Sequence, residues 1–334
     1  MIELAVEIGN TNTTIFKYGY GIVLREPTLV AVEEKDGLFT VKAFGEDALL
    51  LQGKTDESIT IFSPVSLNKI ISPEYAELFL KYLLKKVFNF EESSKKISIT
   101  FCIPVSFDSE NRNILEKIAV NLNCADFRFA PSCVLAVLGI RNDVNDASPV
   151  MVADLGGGKC DLAVVRGLEI EKGISIFMGG KNLDDSIMKF LEEQFSIQIG
   201  TLVAKEIKDE ISSLFANNIS HIQVVGKSIT NNEPKKIDLT ANDILSIVEE
   251  FFDKVSNSIA LFVSSCQVDT IAEISKNGVY IIGGLSNISN LKNYLMNKQK
   301  NLVFIPENND SLIMDGAKIA IKNPKILDKI CASF

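Results

Sequence analysis

Two stretches of the chain share one pattern of apolar and polar positions. Leu4-Ala5-Val6-Glu7-Ile8-Gly9-Asn10-Thr11-Asn12-Thr13-Thr14-Ile15-Phe16 runs apolar, meets an acid and a glycine, crosses small polar residues and returns to apolar. Val150-Met151-Val152-Ala153-Asp154-Leu155-Gly156-Gly157-Gly158-Lys159-Cys160-Asp161-Leu162 repeats that plan. Each predicts a β-hairpin with a tight glycine turn and a carboxylate near the end of its first strand. Elsewhere, short apolar runs alternate with segments whose apolar residues follow three-and-four spacing. Strands are expected over residues 21–24, 28–32, 98–105, 173–180 and 277–284. Helices are expected over 73–87, opened by a proline that a first turn tolerates, and over 111–122, 183–195, 201–214, 240–263 and 288–296. The segment 226–236 reads as an Asn- and Lys-rich excursion, and the polar stretch 141–148 as a hinge. Gly179-Gly180 and Gly283-Gly284 each end a strand ahead of a helix, which predicts a small backbone pocket at each strand end.

The repeat carries chemistry. Backbone N–H groups of glycine-rich turns form anion-binding concavities, and the acids beside them, Glu7 and Asp154, suit a hydrated divalent cation. Two such turns facing each other predict a nucleoside triphosphate and its metal clamped between two halves. Neither a Walker lysine loop nor a GxGxxG fingerprint is present, which argues against the single-loop nucleotide folds.

Composition narrows the class. A chain of 334 residues suits two domains of ordinary size, and 46% hydrophobic with 23% charged residues fits a folded protein. No apolar run reaches the roughly 18 to 20 residues that span a bilayer, and the chain opens directly on a strand, so a cytoplasmic location is expected. A formal charge of −9 argues against nucleic acid as a partner, because phosphate backbones need a basic face. The 6 cysteines form no CxxC pair and the chain holds 1 histidine, His221, so free thiols are expected and a structural zinc site is not.

Beyond these patterns, the order Gly9-Asn10-Thr11-Asn12-Thr13, Gly21-Ile22-Val23-Leu24-Arg25-Glu26-Pro27-Thr28, Gly45-Glu46-Asp47-Ala48, Asp154-Leu155-Gly156-Gly157-Gly158, Gly179-Gly180, Ile207-Lys208-Asp209-Glu210-Ile211 and Gly283-Gly284 resembles the actin-like ATPases. Within them it is most similar to the bacterial actins of the MreB type, over nearly the whole chain. The resemblance implies a duplicated, ribonuclease H-like α/β fold of two domains, residues 1–140 and 141–334, with smaller inserted subdomains at about 28–60 and 181–240. It assigns Gly9, Asn10, Thr11, Asn12 and Thr13 to a first phosphate loop and Gly156, Gly157, Gly158 and Lys159 to a second. Magnesium is assigned to Glu7 and Asp154 through water. The adenosine pocket falls to Gly283 and Gly284 with Lys208 and Glu206, and the Gly179-Gly180 pair joins the nucleotide-binding set. The implied function is an ATP-dependent cytoskeletal filament, with paired protofilaments at the inner face of the membrane and other paralogues as partners, that controls cell shape or motility.

Departures from the family pattern matter as much. Where the family carries Glu-Pro, the carboxylate that orients the attacking water, this chain has Ala130-Pro131. Where a water-positioning threonine follows the triple glycine, it has Lys159. Loss of both groups predicts ATP binding with slow hydrolysis. Lys159 is open to two readings, a point charge on the γ-phosphate or a solvent-facing side chain. Phe88 and Phe90, among Lys85, Lys86, Lys95 and Lys96, read either as a membrane-inserting loop or as rings that cap the core at a helix end. A type III pantothenate kinase-like enzyme and a non-polymerising nucleotide-binding adaptor stand as alternatives of the same superfold.

Overall fold

The structure of the protein, a computed structural model, describes residues 1–55, 58–89, 92, 95–141, 146–216 and 218–332. Phe90 and residues 142–145 of the polar stretch read as a hinge lie outside the described residues. In chain order the first elements are β1 (Ile2–Ile8), β2 (Asn12–Lys17), β3 (Gly21–Pro27), β4 (Val30–Lys35), β5 (Leu38–Phe44), α1 (Gly45–Leu51), β6 (Ile59–Phe62), β7 (Val65–Ser66) and β8 (Lys69–Ile70). There follow α2 (Pro73–Val87), β9 (Ile97–Ile103), α3 (Ser109–Asn121), β10 (Asp126–Pro131), α4 (Ser132–Arg141), β11 (Pro149–Leu155), β12 (Cys160–Arg166) and β13 (Glu169–Ile176). The remainder comprises α5 (Gly180–Phe195), β14 (Ile197–Gln198), α6 (Thr201–Ile211), β15 (His221–Ser228), β16 (Pro234–Thr240), α7 (Ala241–Ser264), α8 (Val268–Asn277), β17 (Val279–Ile282), α9 (Leu291–Lys298), β18 (Val303–Phe304), α10 (Leu312–Lys322) and α11 (Pro324–Ala332).

Two five-stranded sheets run in the orders β10-β9-β1-β2-β3 and β13-β12-β11-β17-β18, and two three-stranded sheets in the orders β5-β4-β6 and β14-β15-β16. The chain divides into two compact units, residues 1–148 with 163–175 and 310–334, and residues 149–162 with 176–309.

In the first unit β1 is the central strand, parallel to β9 and antiparallel to β2. Leu4, Val6, Ile15, Phe79, Leu83, Ile99 and Phe101 bury its core. Local chemistry fixes the helices on this sheet. Pro73 opens α2, Glu74 lies in its first turn and Lys85 and Lys86 in its last, signs that complement the helix dipole. Asp108 caps α3 by accepting from the Asn111 N–H at 2.9 Å.

In the second unit β11 runs parallel to β17, with Asp154 opposite Ile282. Thr240 caps the long helix α7 reciprocally with Asp243. Two expectations change here. The helix expected over 201–214 stops at Ile211, because Ser213 leaves the helix to bridge Ser289. The excursion expected at 226–236 is part of the β15–β16 hairpin, paired from His221↔Thr240 to Lys227↔Pro234. Its turn is closed by Asn232 in the left-handed region at φ 61, a conformation that asparagine tolerates.

Candidate functional site

Both repeated turns close by the same hydrogen bond. In the first unit the Gly9 N–H donates to the Asn12 carbonyl at 3.0 Å, and in the second the Gly156 N–H donates to the Lys159 carbonyl at 2.9 Å. Each ties residue i to i+3 at the end of a buried first strand, β1 or β11, so the likeness in sequence is a likeness in backbone.

In the first unit, Glu7 lies one residue before the end of β1, opposite Thr14 and Cys102. Residues Gly9 to Asn12 bend the chain, and Thr13 is buried at the start of β2. The Thr13 and Thr28 hydroxyls lie 2.9 Å apart and the Thr28 N–H donates to the Thr11 carbonyl at 2.9 Å. The turn is therefore pinned to the segment that follows Pro27. Ala130 is completely buried in β10, beside Cys102. Phe88 is half-buried against the core of this unit, with the Lys17 ammonium 6.0 Å from its ring.

The second unit brings most of the remaining candidates together. The Gly180 N–H donates to the Gly156 carbonyl at 3.0 Å and the Lys181 N–H to the Gly157 carbonyl at 2.7 Å, which stacks the start of α5 on the glycine turn. Gly179 is where this contact is tightest: a Cβ there would meet the Lys159 nitrogen at 2.5 Å and the Gly158 carbonyl carbon at 2.7 Å. Gly283 has φ +84, and a Cβ would stand 2.3 Å from the Asp154 Oδ1. The second glycine pair thus lies against Asp154, one residue before the end of β11. Gly284 opens a short 3-10 turn through Asn287, whose Ser286 hydroxyl donates to the Gly283 carbonyl at 2.6 Å.

Lys208 projects from α6 to the same place. Its ammonium is 2.7 Å from the Asp184 carboxylate and 3.5 Å from the Gly180 carbonyl oxygen. Glu206, two residues earlier on that helix, is exposed. Asp184 is the member of this cluster that sequence reasoning missed. It is one of two adjacent acids in α5, and nothing in the pattern separates this half-buried one from its exposed neighbour Asp185.

The electrostatics centre on Asp154, Lys159 and Asp161. The Lys159 ammonium is ion-paired with the buried Asp161 carboxylate. Burial, followed by the negative charge of Asp161, pushes the Asp154 carboxyl up to about 6, against a partial offset from Lys159. Burial first, then the same two carboxylates, raises the Cys160 thiol, and its Sγ lies 2.9 Å from the Met178 carbonyl oxygen. Burial likewise raises Asp184, against the pull of Lys208. Among the described residues, no group of three His, Cys, Asp or Glu side chains stands together as a metal cluster. Nor, among them, is any helix long and apolar enough to cross a membrane.

Comparison with known proteins agrees with this geometry. The family model described as MreB/Mbl protein matches residues 1–329. The cell shape-determining protein MreB of Pasteurella multocida is 29% identical over 296 residues, 86% of this chain and 84% of that protein. The crystal structure of MreB5 of Spiroplasma citri bound to ADP superposes with a TM-score of 0.91 at 23% identity, covering 98% of both chains. MamK in its double helical filament superposes at 0.79 and 18% identity, covering 96% of this chain and 99% of that one. The fold is actin-like, and a whole-chain match of this kind does not favour the kinase or adaptor alternatives.

Proposed function

The chain belongs to the MreB/Mbl family, and on that footing we propose that it binds ATP and polymerises into a cytoskeletal filament that determines cell shape or drives motility. The observation that carries this reading is the pair of turns closed by one and the same i to i+3 hydrogen bond, the second of them stacked on α5 beside Asp154, Lys208 and Gly283. Nucleotide-bound MreB5 supports ATP or ADP as the ligand, and the MamK double helix supports self-association, with paired protofilaments as the form. Contacts of this kind are heterologous and open-ended.

The phosphates lie on the two turns in this reading, and Lys208, Gly180, Gly283 and Gly284 border the nucleoside. Magnesium arrives on the nucleotide. One carboxylate in each unit, Glu7 and Asp154, fits a cation met through water better than a resident metal, since no cluster of three ligating side chains exists among the described residues. The ion supplies neutralising charge to the phosphate oxygens. The filament works in the cytoplasm at the inner face of the membrane, beside other paralogues. Hydrolysis is slow, because Ala130 has no group to orient water and Lys159 stands in place of a hydroxyl.

Electron microscopy of the purified protein with ATP, ADP and a non-hydrolysable analogue tests this reading. Filaments with ATP and with the analogue, and few with ADP, are expected. A protein that binds ATP yet stays monomeric at every concentration overturns the filament.

A further inference from the structure

The second glycine turn holds a positive charge of its own. Lys159 lies within the turn, and its side chain, 18% exposed, is ion-paired with an Asp161 side chain that is 7% exposed. An ammonium has three N–H donors, and Asp161 takes one of them here. The charge is fixed rather than free to swing into solvent, and a partly buried pair is screened little by salt. A second acid, Asp154, stands before the same turn, near the end of β11. A neutral side chain at position 159 would leave two carboxylates facing an incoming polyphosphate, and a divalent ion would have to offset both. With Lys159 in place the three side chains carry one net negative charge.

We propose that Lys159 is a resident counter-cation for the phosphates of bound nucleotide, so that this protein holds ATP with little dependence on a divalent ion. The inference rests on the nucleotide reading above and adds the ionic requirement of that site. Asp161 acts as a positioning residue, holding the ammonium over the turn. Gly157 and Gly158 set no side chain between that charge and a phosphate approaching the backbone.

Calorimetric titration of the full chain with ATP, in buffer with magnesium and in buffer with EDTA, is the test. Thermal unfolding in the same buffers is the second readout. For the wild-type protein, removing magnesium should weaken binding by no more than about threefold, while Lys159→Thr and Lys159→Met should each lose more than about tenfold under EDTA and recover with magnesium. Nucleotide should raise the unfolding temperature of the wild type in both buffers and that of the variants only with magnesium. If wild-type binding collapses under EDTA, Lys159 is not a counter-cation, whatever the variants do, and the nucleotide site itself stands. If ATP fails to bind in either buffer, the nucleotide reading falls and this inference with it. Should both variants fail to fold, the two wild-type titrations alone decide.

Discussion

Lys208 on α6 holds its ammonium 2.7 Å from the carboxylate of Asp184 on α5, and the same ammonium lies 3.5 Å from the carbonyl oxygen of Gly180, where α5 begins. The side chains are 9% and 14% exposed, so the two charges sit largely out of water and depend on each other. A lysine that resemblance alone assigns to the nucleoside is therefore also a brace between two helices of the second unit. Its two roles separate experimentally.

Removing one partner leaves a buried charge alone, which costs about 3–5 kcal/mol, whereas replacing both by apolar residues of similar volume is often neutral. Asp184→Leu should accordingly lower the unfolding free energy by about 3 kcal/mol, and Lys208→Met added to it should restore most of that loss. Urea denaturation checks this. The doubly substituted, stable protein should still bind ATP more weakly if Lys208 also meets the nucleoside. Unchanged affinity would confine Lys208 to bracing.

The two residues of the first glycine pair differ sharply in what they exclude. A Cβ at Gly179 meets backbone atoms at 2.5 Å and 2.7 Å, while a Cβ at Gly180 meets only the flexible end of Lys208, at 3.2 Å, and ordinary contacts beyond it. Gly179 has φ −152, which any residue adopts, so the penalty there is steric alone. Gly179→Ala should destabilise by about 2 kcal/mol or more and impair ATP binding, and Gly180→Ala by less than about 1 kcal/mol. Melting temperatures of the two variants decide; equal losses would mean that the stacking of α5 on the turn is looser than described.

Asp154 makes stability depend on pH. Its carboxyl titrates at about 6 in the fold against an ordinary 3.8, so between those values the folded chain keeps a proton that the unfolded chain has released. Stability of the nucleotide-free protein should therefore fall as pH rises from about 4 to about 6, and the contribution of this group should be constant above that. The drop is at most about 3 kcal/mol, and less to the extent that water reaches the side chain. Asp154→Asn should flatten the curve and leave the variant more stable than wild type at neutral pH. Denaturation midpoints at several pH values, for both proteins, measure it.

Several of these features are legible in the sequence because they are periodic or repeated. The two hairpin turns announce themselves by the acid-glycine-polar plan, and α2 and α7 by three-and-four spacing with Pro73 and Thr240 at their starts. The helix α4 is not legible in this way. Its residues from Ser132 to Gly139 are all buried, so the apolar run has no polar face to give it a period. Partnerships distant in sequence are silent for a different reason. Nothing local tells Asp184 to meet Lys208, or Glu92 to meet Lys17 at 2.6 Å across the first unit. The β15–β16 hairpin alternates exposed and less exposed positions along both strands, but its turn and the start of β16 are rich in Asn and Lys, and that polar stretch reads as a loop.

The Lys17–Glu92 pair bears on Phe88. Both partners are buried, and Lys17 also lies 4.5 Å from the centre of the Tyr20 ring. With Phe88 packed on the core, Phe88→Ser should cost about 1–3 kcal/mol of stability. Sedimentation with anionic vesicles, compared at matched folded fraction, then tests whether the ring also meets lipid. Equal pelleting of variant and wild type would leave Phe88 a packing residue.

Hydrolysis gives the last test. Ala130 is completely buried beside Cys102 in the sheet of the first unit, so a glutamate there must bring a carboxylate into an apolar setting at a cost of several kcal/mol unless it is hydrogen-bonded. Lys159 is partly exposed, and threonine in its place introduces a hydroxyl at little steric cost. Phosphate release by the wild type should be slow. Lys159→Thr alone should raise it by about tenfold, equivalent to about 1.4 kcal/mol of barrier. Ala130→Glu combined with Lys159→Thr should raise turnover further per folded molecule while lowering the melting temperature. Wild-type turnover at the pace of hydrolytically active relatives, measured with magnesium present, would show that another group orients the water; Asp161, in β12 and ion-paired with Lys159, is the first residue to substitute next.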